Sequence, residues 1–318
     1  MFDDDFRALT DETGMIDLAD RSRIEVKGDD RVSFLHKLST NEVNLLPAGG
    51  GCEAFFLDAR GHVLGHAFLI QARDSMIIET VAGQSEFLLK HLDRYLIREK
   101  VELHDRTHDW GELLVAGAKT EAALAEIVAG ELPTARLASV DLEIAGRQAL
   151  AVRVDLTLPR GYLLFFEDRD SHRAMTEALA AKGVRLCDRA AFEAARIEAG
   201  FPFYGQDITD KNLPQEIDRS ELAISFNKGC YLGQETVARI DALGHVNKTL
   251  VRLQFEGHGT PPPGTELVAG EVEVGQVTSA AFSPRAKAAV ALAYVRRGSN
   301  HPGHKLSSAF GPAVILPK

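Results

Sequence analysis

The sequence predicts an α+β fold of more than one domain, closed by a small β-barrel. Three observations carry that prediction. Up to about residue 245, short strand-like runs and amphipathic helical runs mix without the regular strand–helix alternation of a wound parallel sheet. Beyond it the chain reads as strands and turns alone, with Pro261-Pro262-Pro263-Gly264 as a turn. The 318 residues, 45% of them hydrophobic and 26% charged, supply enough apolar chain for two or three globular domains. The expected division is 1–245, itself built of two subdomains, and 246–318 as the barrel, with the boundary at Gly244-His245-Val246-Asn247.

Residues 23–27 alternate as a strand, with Ile24 and Val26 on one face. Gly28-Asp29-Asp30 comes next as turn and helix cap, and Val32, Phe34, Leu35 and Leu38 recur at helical spacing. Residues 55–57 and 62–70 form a hairpin about Asp58-Ala59-Arg60-Gly61, and 75–80 is another strand. Phe87, Leu88, His91, Leu92, Tyr95 and Leu96 mark one face of an amphipathic helix. Short strands are expected at 101–103 and 113–116, helices at 120–129 and 171–182, and strands at 139–145 and 148–154 between them. A helix over 188–198 runs into Gly200-Phe201-Pro202, which cannot continue it. The barrel strands fall near 249–255, 266–269, 271–280 and 288–295.

The formal net charge of −10 argues against a protein whose main task is to grip nucleic acid, although Arg94, Arg98 and Lys100 could form a local basic patch or a solvated helix face. No apolar run is long enough to span a membrane, and the acidic start MFDDDFRALTDETG resembles neither a secretory nor a mitochondrial leader. Cys52, Cys187 and Cys230 are far apart and odd in number, so neither a disulfide framework nor a self-contained zinc site is expected. His62 and His66 would lie about 13 Å apart on a strand, too far to share a metal. The expectation is a soluble cytoplasmic protein with free thiols and no resident metal.

Two segments carry chemistry. The octet Lys228-Gly229-Cys230-Tyr231-Leu232-Gly233-Gln234-Glu235 sets a cysteine between two glycines and two residues from a cation, which favours thiolate over thiol. Cys230 and Lys228 are the catalytic candidates. The alternative for Cys230 is a small buried apolar residue, which is what we expect of Cys52 and Cys187. In the second segment, 196–207, Glu198 sits at the end of a helix, where the dipole disfavours a carboxylate. It therefore pairs either with a ligand N–H edge or with a surface cation such as Arg196.

Together these segments, RIEAGFPFYGQDIT, LPQE and ISFNKGCYLGQETVAR, resemble the signature of the YgfZ family, folate-binding proteins related to the glycine-cleavage T-protein. The resemblance runs over essentially the whole chain. VKGDDRVSFLHKLSTNEV and FFLDARGHVLGHAFL are similar to the opening domain, and GQVTSAAFSP to the closing barrel. It implies α+β domains around a central channel, with tetrahydrofolate or a related folate in that channel. Glu198 matches the T-protein glutamate that binds the pterin ring, and a carboxylate suits two parallel N–H donors. Phe192 stands where some members carry a folate-stacking tryptophan, and Arg21 where they carry another. Tyr204, Gln234, Glu235 and Arg239 complete the implied cofactor-binding set.

The branch decides the function. T-proteins place an aspartate needed for one-carbon transfer just after the strand at 77–81; here residues 79–86 contain Glu79 and Glu86 but no aspartate. T-proteins also lack the cysteine of the octet. The resemblance thus implies a YgfZ-type role, the assembly or repair of iron–sulfur clusters, including those of enzymes that modify tRNA, with Cys230 as the working thiol. The implied partners are folate and iron–sulfur proteins or their assembly machinery, with a monomeric chain. Two alternatives stay open: a tetrahydrofolate-dependent aminomethyltransferase of glycine cleavage, and a non-catalytic folate-binding scaffold.

Overall fold

The computed structural model describes residues 1–144, 146–257 and 259–317. The chain opens with α1 (Phe2–Thr10), β1 (Gly14–Asp17), β2 (Ser22–Lys27), α2 (Arg31–Leu38), β3 (Gly51–Leu57), β4 (Val63–Gln71), β5 (Met76–Thr80) and α3 (Ser85–Asp93). It continues through β6 (Glu102–Asp105), β7 (Gly111–Ala116), α4 (Thr120–Ala125), β8 (Val128–Ala129), β9 (Ser139–Ile144), β10 (Arg147–Val154), β11 (Gly161–Phe166), α5 (Arg169–Ala181), β12 (Arg185–Leu186) and α6 (Arg189–Ala199). After a 3₁₀ turn at Pro214–Ile217 come α7 (Ser220–Ala223) and α8 (Gln234–Leu243). The last strands are β13 (Lys248–Phe255), β14 (Glu266–Ala269), β15 (Val272–Ser283), β16 (Ala288–Arg296), β17 (Lys305–Leu306) and β18 (Ala313–Ile315).

Three sheets result. A seven-stranded sheet runs β12-β1-β7-β11-β10-β9-β8 and is antiparallel except where β1 meets β12. A five-stranded antiparallel sheet runs β3-β4-β5-β2-β6. The third, β14-β15-β16-β13-β18-β17, curls until its edges meet: Val268 and Ser307 exchange two backbone hydrogen bonds of 2.8 Å. That contact nearly closes the expected barrel and removes its free edges. Strands β5, β7 and β11 are buried along their whole length, because elements cover both faces of their sheets.

Helix α6 is the pillar on which the three sheets lean. The Asp188 carboxylate accepts the Ala191 N–H at 2.7 Å and caps its start. Gly200, at φ 77°, ends it in the left-handed conformation. Phe192, Ala194 and Ala195 pack in one core with Phe68 of β4 and Val152 and Leu163 of the seven-stranded sheet. Ile197 packs in another, with Phe55 and Val63 on one side and barrel residues Leu250, Val290 and Leu292 on the other.

Some local expectations shift. The helix over 120–129 stops at Ala125; Glu126 and Ile127 form a turn, the chain is extended from Val128, and β8 pairs with the edge of β9. Ala145, the last residue of the strand expected at 139–145, lies outside the described residues. Helix α3 buries Leu88, His91 and Leu92 but leaves Phe87 exposed, and Tyr95 and Leu96 lie past its end. Among the described residues no helix is long and apolar enough to cross a membrane.

Fully buried Arg196 ties the pillar to the loop at its C-terminal end. Its guanidinium donates to Asp207 Oδ2 (2.5 Å) and the Phe201 carbonyl (3.2 Å), pairs with Glu193, and lies 4.8 Å over the Phe203 ring. Breaking a buried ion pair from one side costs about 3–5 kcal/mol. Urea unfolding of Arg196→Ala is expected to show a loss of that order; a loss below about 1 kcal/mol would mean that this network does not secure the fold.

Candidate functional site

The octet lies in the loop that leads from α7 into α8. Leu232 N–H donates to the Lys37 carbonyl (3.0 Å), and Tyr231 N–H donates to Gln234 Oε1 (2.9 Å). Gly233 has φ 80°, and a Cβ there would stand 2.5 Å from the Asp58 carbonyl oxygen, so only glycine lets the loop sit against the β3–β4 turn. The Lys228 ammonium donates to the carbonyls of His36 (2.6 Å), Ser39 (2.7 Å) and Asn41 (2.6 Å). It thereby caps the C-terminus of α2, and its burial lowers its pKa to about 8. Cys230 is exposed, and its thiol has no hydrogen-bond partner among the described residues. Cys52 and Cys187 are buried, and burial pushes both thiols up to about 12.

A narrow cavity lies where β4 and β5 face the loop after α6. Arg21, His66, Phe68, Glu79, Phe201 and Phe203 line it. Its volume is about 10 Å³, room for about one water. Arg21 pairs with Glu79 and lies 5.2 Å over the Phe203 ring. Behind them Arg23 donates to Glu112 (2.9 Å). Burial, then the charge of Glu79, raises the Glu112 carboxyl to about 8. Glu79 Oε2 has no partner among the described residues.

Beside the cavity sits a second buried array that the sequence did not single out. Glu53 meets His66 (2.7 Å), Arg219 (2.7 Å) and Arg136, and Arg136 reaches Asp155 (2.9 Å). Burial alone would raise the Glu53 carboxyl, but Arg219 and then His66 hold it well below the usual carboxylate range. Arg219 also lies 4.6 Å over Phe201. The legible signal was Glu53 inside the apolar strand GCEAFFL, since a carboxylate is almost never buried unpaired.

The other candidates are dispersed. Glu198 faces the barrel rather than the cavity: Ser283 Oγ donates to Oε2 (2.6 Å) and Arg285 to Oε1 (3.0 Å). Phe192 is buried behind Phe203, with centroids 6.1 Å apart. Tyr204 is half-buried against Ile208 and Ile217, and burial raises its hydroxyl. Gln234 is held within its own turn, and Glu235 and Arg239 are exposed on α8. His62 bonds Asp58 (3.3 Å) while His66 bonds Glu53, so the two histidines serve different partners. Among the described residues no group of three or more His, Cys, Asp or Glu is arranged to hold a metal.

Residues 1–228 match the profile described as the GCVT N-terminal domain, and residues 248–311 that of the glycine cleavage T-protein C-terminal barrel domain. The chain belongs to the glycine cleavage T-protein family. An aminomethyltransferase of Thermus thermophilus is 27% identical over 318 residues, covering 98% of this chain and 89% of that protein. One from Rubrobacter xylanophilus is 26% identical over 290 residues, covering 91% and 77%. The crystal structure of glycine cleavage system aminomethyltransferase T from Bartonella henselae superposes with a TM-score of 0.90 at 19% identity, covering 99% and 88%, and shares the fold.

Glu112 supplies a pH test. Its carboxyl titrates near 8 in the fold and near 4.5 in the unfolded chain. The folded state therefore binds more protons between those values. This contribution to stability is full below about 4.5 and lost as pH rises through about 8. Urea midpoints at pH 5 and pH 8 are expected to differ less in Glu112→Gln than in the parent; an unchanged difference would refute the assignment.

Proposed function

We propose that this chain binds tetrahydrofolate or a related folate and, as a cytoplasmic protein of the YgfZ type, uses the Cys230 thiol in iron–sulfur cluster assembly or repair, and thereby in tRNA modification. The observation that carries this reading is the exposed Cys230, without a hydrogen-bond partner among the described residues, on a loop pinned from both sides by Lys228 and Gly233. Thiolates are natural ligands of iron–sulfur species. With Cys52 and Cys187 buried, one accessible cysteine cannot keep a cluster alone, so any cluster would be shared with a partner. Lys228 is a positioning residue in this reading, because its ammonium fixes the loop to α2. The cavity's lining fits a folate ring in chemistry, with the aromatic faces of Phe201 and Phe203 and an unpartnered carboxylate oxygen. It is narrower than a ring, so half-buried Phe203 would have to turn, as interface side chains commonly do on binding.

The names of the relatives support a second reading, tetrahydrofolate-dependent aminomethyl transfer. Against it stands the stretch after β5. Glu79 is locked to Arg21, and Glu86 is exposed on α3 with Lys90 2.5 Å away. Neither is a free proton-transfer group, and losing such a group costs about 10²–10⁴-fold in rate.

The two readings separate in a bacterial strain lacking its YgfZ protein, with tRNA methylthiolation as the readout. Rescue by the parent but not by Cys230→Ala, with folate binding intact in both, is expected. Equal rescue by Cys230→Ala would remove the thiol from the mechanism. Methylene transfer from an aminomethyl-lipoyl carrier by the purified chain would favour the aminomethyltransferase reading.

A further inference from the structure

We propose that the cleft between the β4–β5 and β9–β10 hairpins is a second binding site, which takes a short apolar peptide with free termini. This assignment goes beyond the folate and thiol readings and rests on neither. The cleft opens between the five-stranded and seven-stranded sheets, with Ala72, Ser75 and Ile77 on one wall and Trp110, Leu150 and Phe165 on the other. Its volume is about 670 Å³, within the roughly 300–1,000 Å³ usual for small-molecule sites. It shares no lining residue with the cavity at Arg21 and Glu79. Its floor is the half-covered end of a core: Ala72 and Leu150, only partly buried, pack against the cluster that holds Ile77, Trp110 and Phe165. Apolar surface left open in a cleft favours an apolar ligand that covers it.

The polar groups narrow the choice to a peptide. Ser75 and Trp110 are both more than nine-tenths buried, yet neither the hydroxyl nor the indole N–H has a hydrogen-bond partner among the described residues. Both can donate, and an extended peptide carries a carbonyl at every residue to meet them in place of water. At the rim most charges already have partners. Glu25 is held by Lys27 (3.2 Å) and Arg106 (2.9 Å), Asp168 accepts the Ser171 N–H (2.7 Å), and Arg73 meets Asp141 (3.7 Å). Arg147, Asp74 and Glu167 also line the cleft; they are exposed and have no ion pair among the described residues. Both signs are therefore left over. The guanidinium suits a terminal carboxylate, and the two carboxylates suit a terminal ammonium. The Arg73–Asp141 pair links the two hairpins, but both side chains are largely exposed, and so weak a contact can part to admit a chain.

The test is titration of the full chain with trileucine, N-acetyl-trileucine and trileucine amide, read by tryptophan emission. Trp110 is the single tryptophan of the sequence, so the emission reports on this cleft. Trileucine is expected to shift the emission saturably and to bind at least tenfold more tightly than either blocked peptide. Arg147→Gln is expected to abolish the preference over the amide. The double variant Asp74→Asn, Glu167→Gln is expected to abolish the preference over the acetylated peptide. All three positions are exposed, so these variants keep the fold. No saturable shift at millimolar trileucine, equal affinity for the three peptides, or preferences that survive in the rim variants would overturn the assignment. Calorimetric binding of 5-formyltetrahydrofolate is expected to be the same in the parent and the rim variants; a selective loss in the variants would make the cleft part of the folate site and overturn its separate role.

Discussion

The carboxylate of Asp207 is the point on which this architecture depends. It is fully buried, and each of its oxygens is satisfied twice. Oδ2 accepts from Arg196 (2.5 Å) and the Phe203 N–H (3.0 Å); Oδ1 accepts from the hydroxyls of Thr278 and Ser279, both at 2.6 Å. One side chain thus joins the pillar helix, the loop after it and the barrel strand β15. A buried charge persists only when its whole hydrogen-bonding capacity is met, and that requirement dictates where the barrel sits. It also sets the path of residues 201–207, and so places Phe201 and Phe203 on the cavity.

Two further arrays obey the same rule. Glu53 and Asp155 offset Arg136 and Arg219, while Glu79 pairs with Arg21, and Glu112, its carboxyl raised to about 8, accepts from Arg23. Each array joins strands to a loop or a neighbouring sheet. Replacing such pairs by apolar residues often stabilises a protein, so their presence at the centre argues for a task other than stability. Guanidinium groups over Phe68, Phe201 and Phe203 leave the cavity walls flat, polar at the edges and apolar on the faces.

Much of this fold was legible because its local signals agree with its packing. Asp188 and Gly200 bracket α6 as a cap and a left-handed stop should, and the strand-and-turn text after residue 245 does curl into a nearly closed barrel. The octet could be singled out because no core needs Lys-Gly-Cys between strands and helices. The cavity was not legible in the same way. Glu53, His66, Arg136 and Arg219 lie far apart in sequence and meet only because β3 pairs with β4 and the 3₁₀ turn brings Arg219 back over them. Periodicity reports which face of an element is buried, not which distant charge it will meet. For the same reason the sequence offered Glu198 a ligand N–H edge or a nearby cation such as Arg196, whereas Ser283 and Arg285 reach it from the barrel, more than eighty residues away.

The octet shows how one short motif separates two tasks. Lys228 and Cys230 are near neighbours in sequence, and proximity alone would set the cation on the thiol. Instead the ammonium turns inward to three carbonyls at the end of α2, where unpaired acceptors and the helix dipole both favour a positive charge. Gly233 then lets the chain turn against the β3–β4 hairpin, which leaves Cys230 outward. The lysine therefore acts on the backbone that carries the cysteine. A thiol on a loop fixed in this way cannot retreat into the core, and it keeps one presentation to whatever approaches from solvent. That division suits a cysteine whose counterpart is another molecule better than one that works inside the cavity.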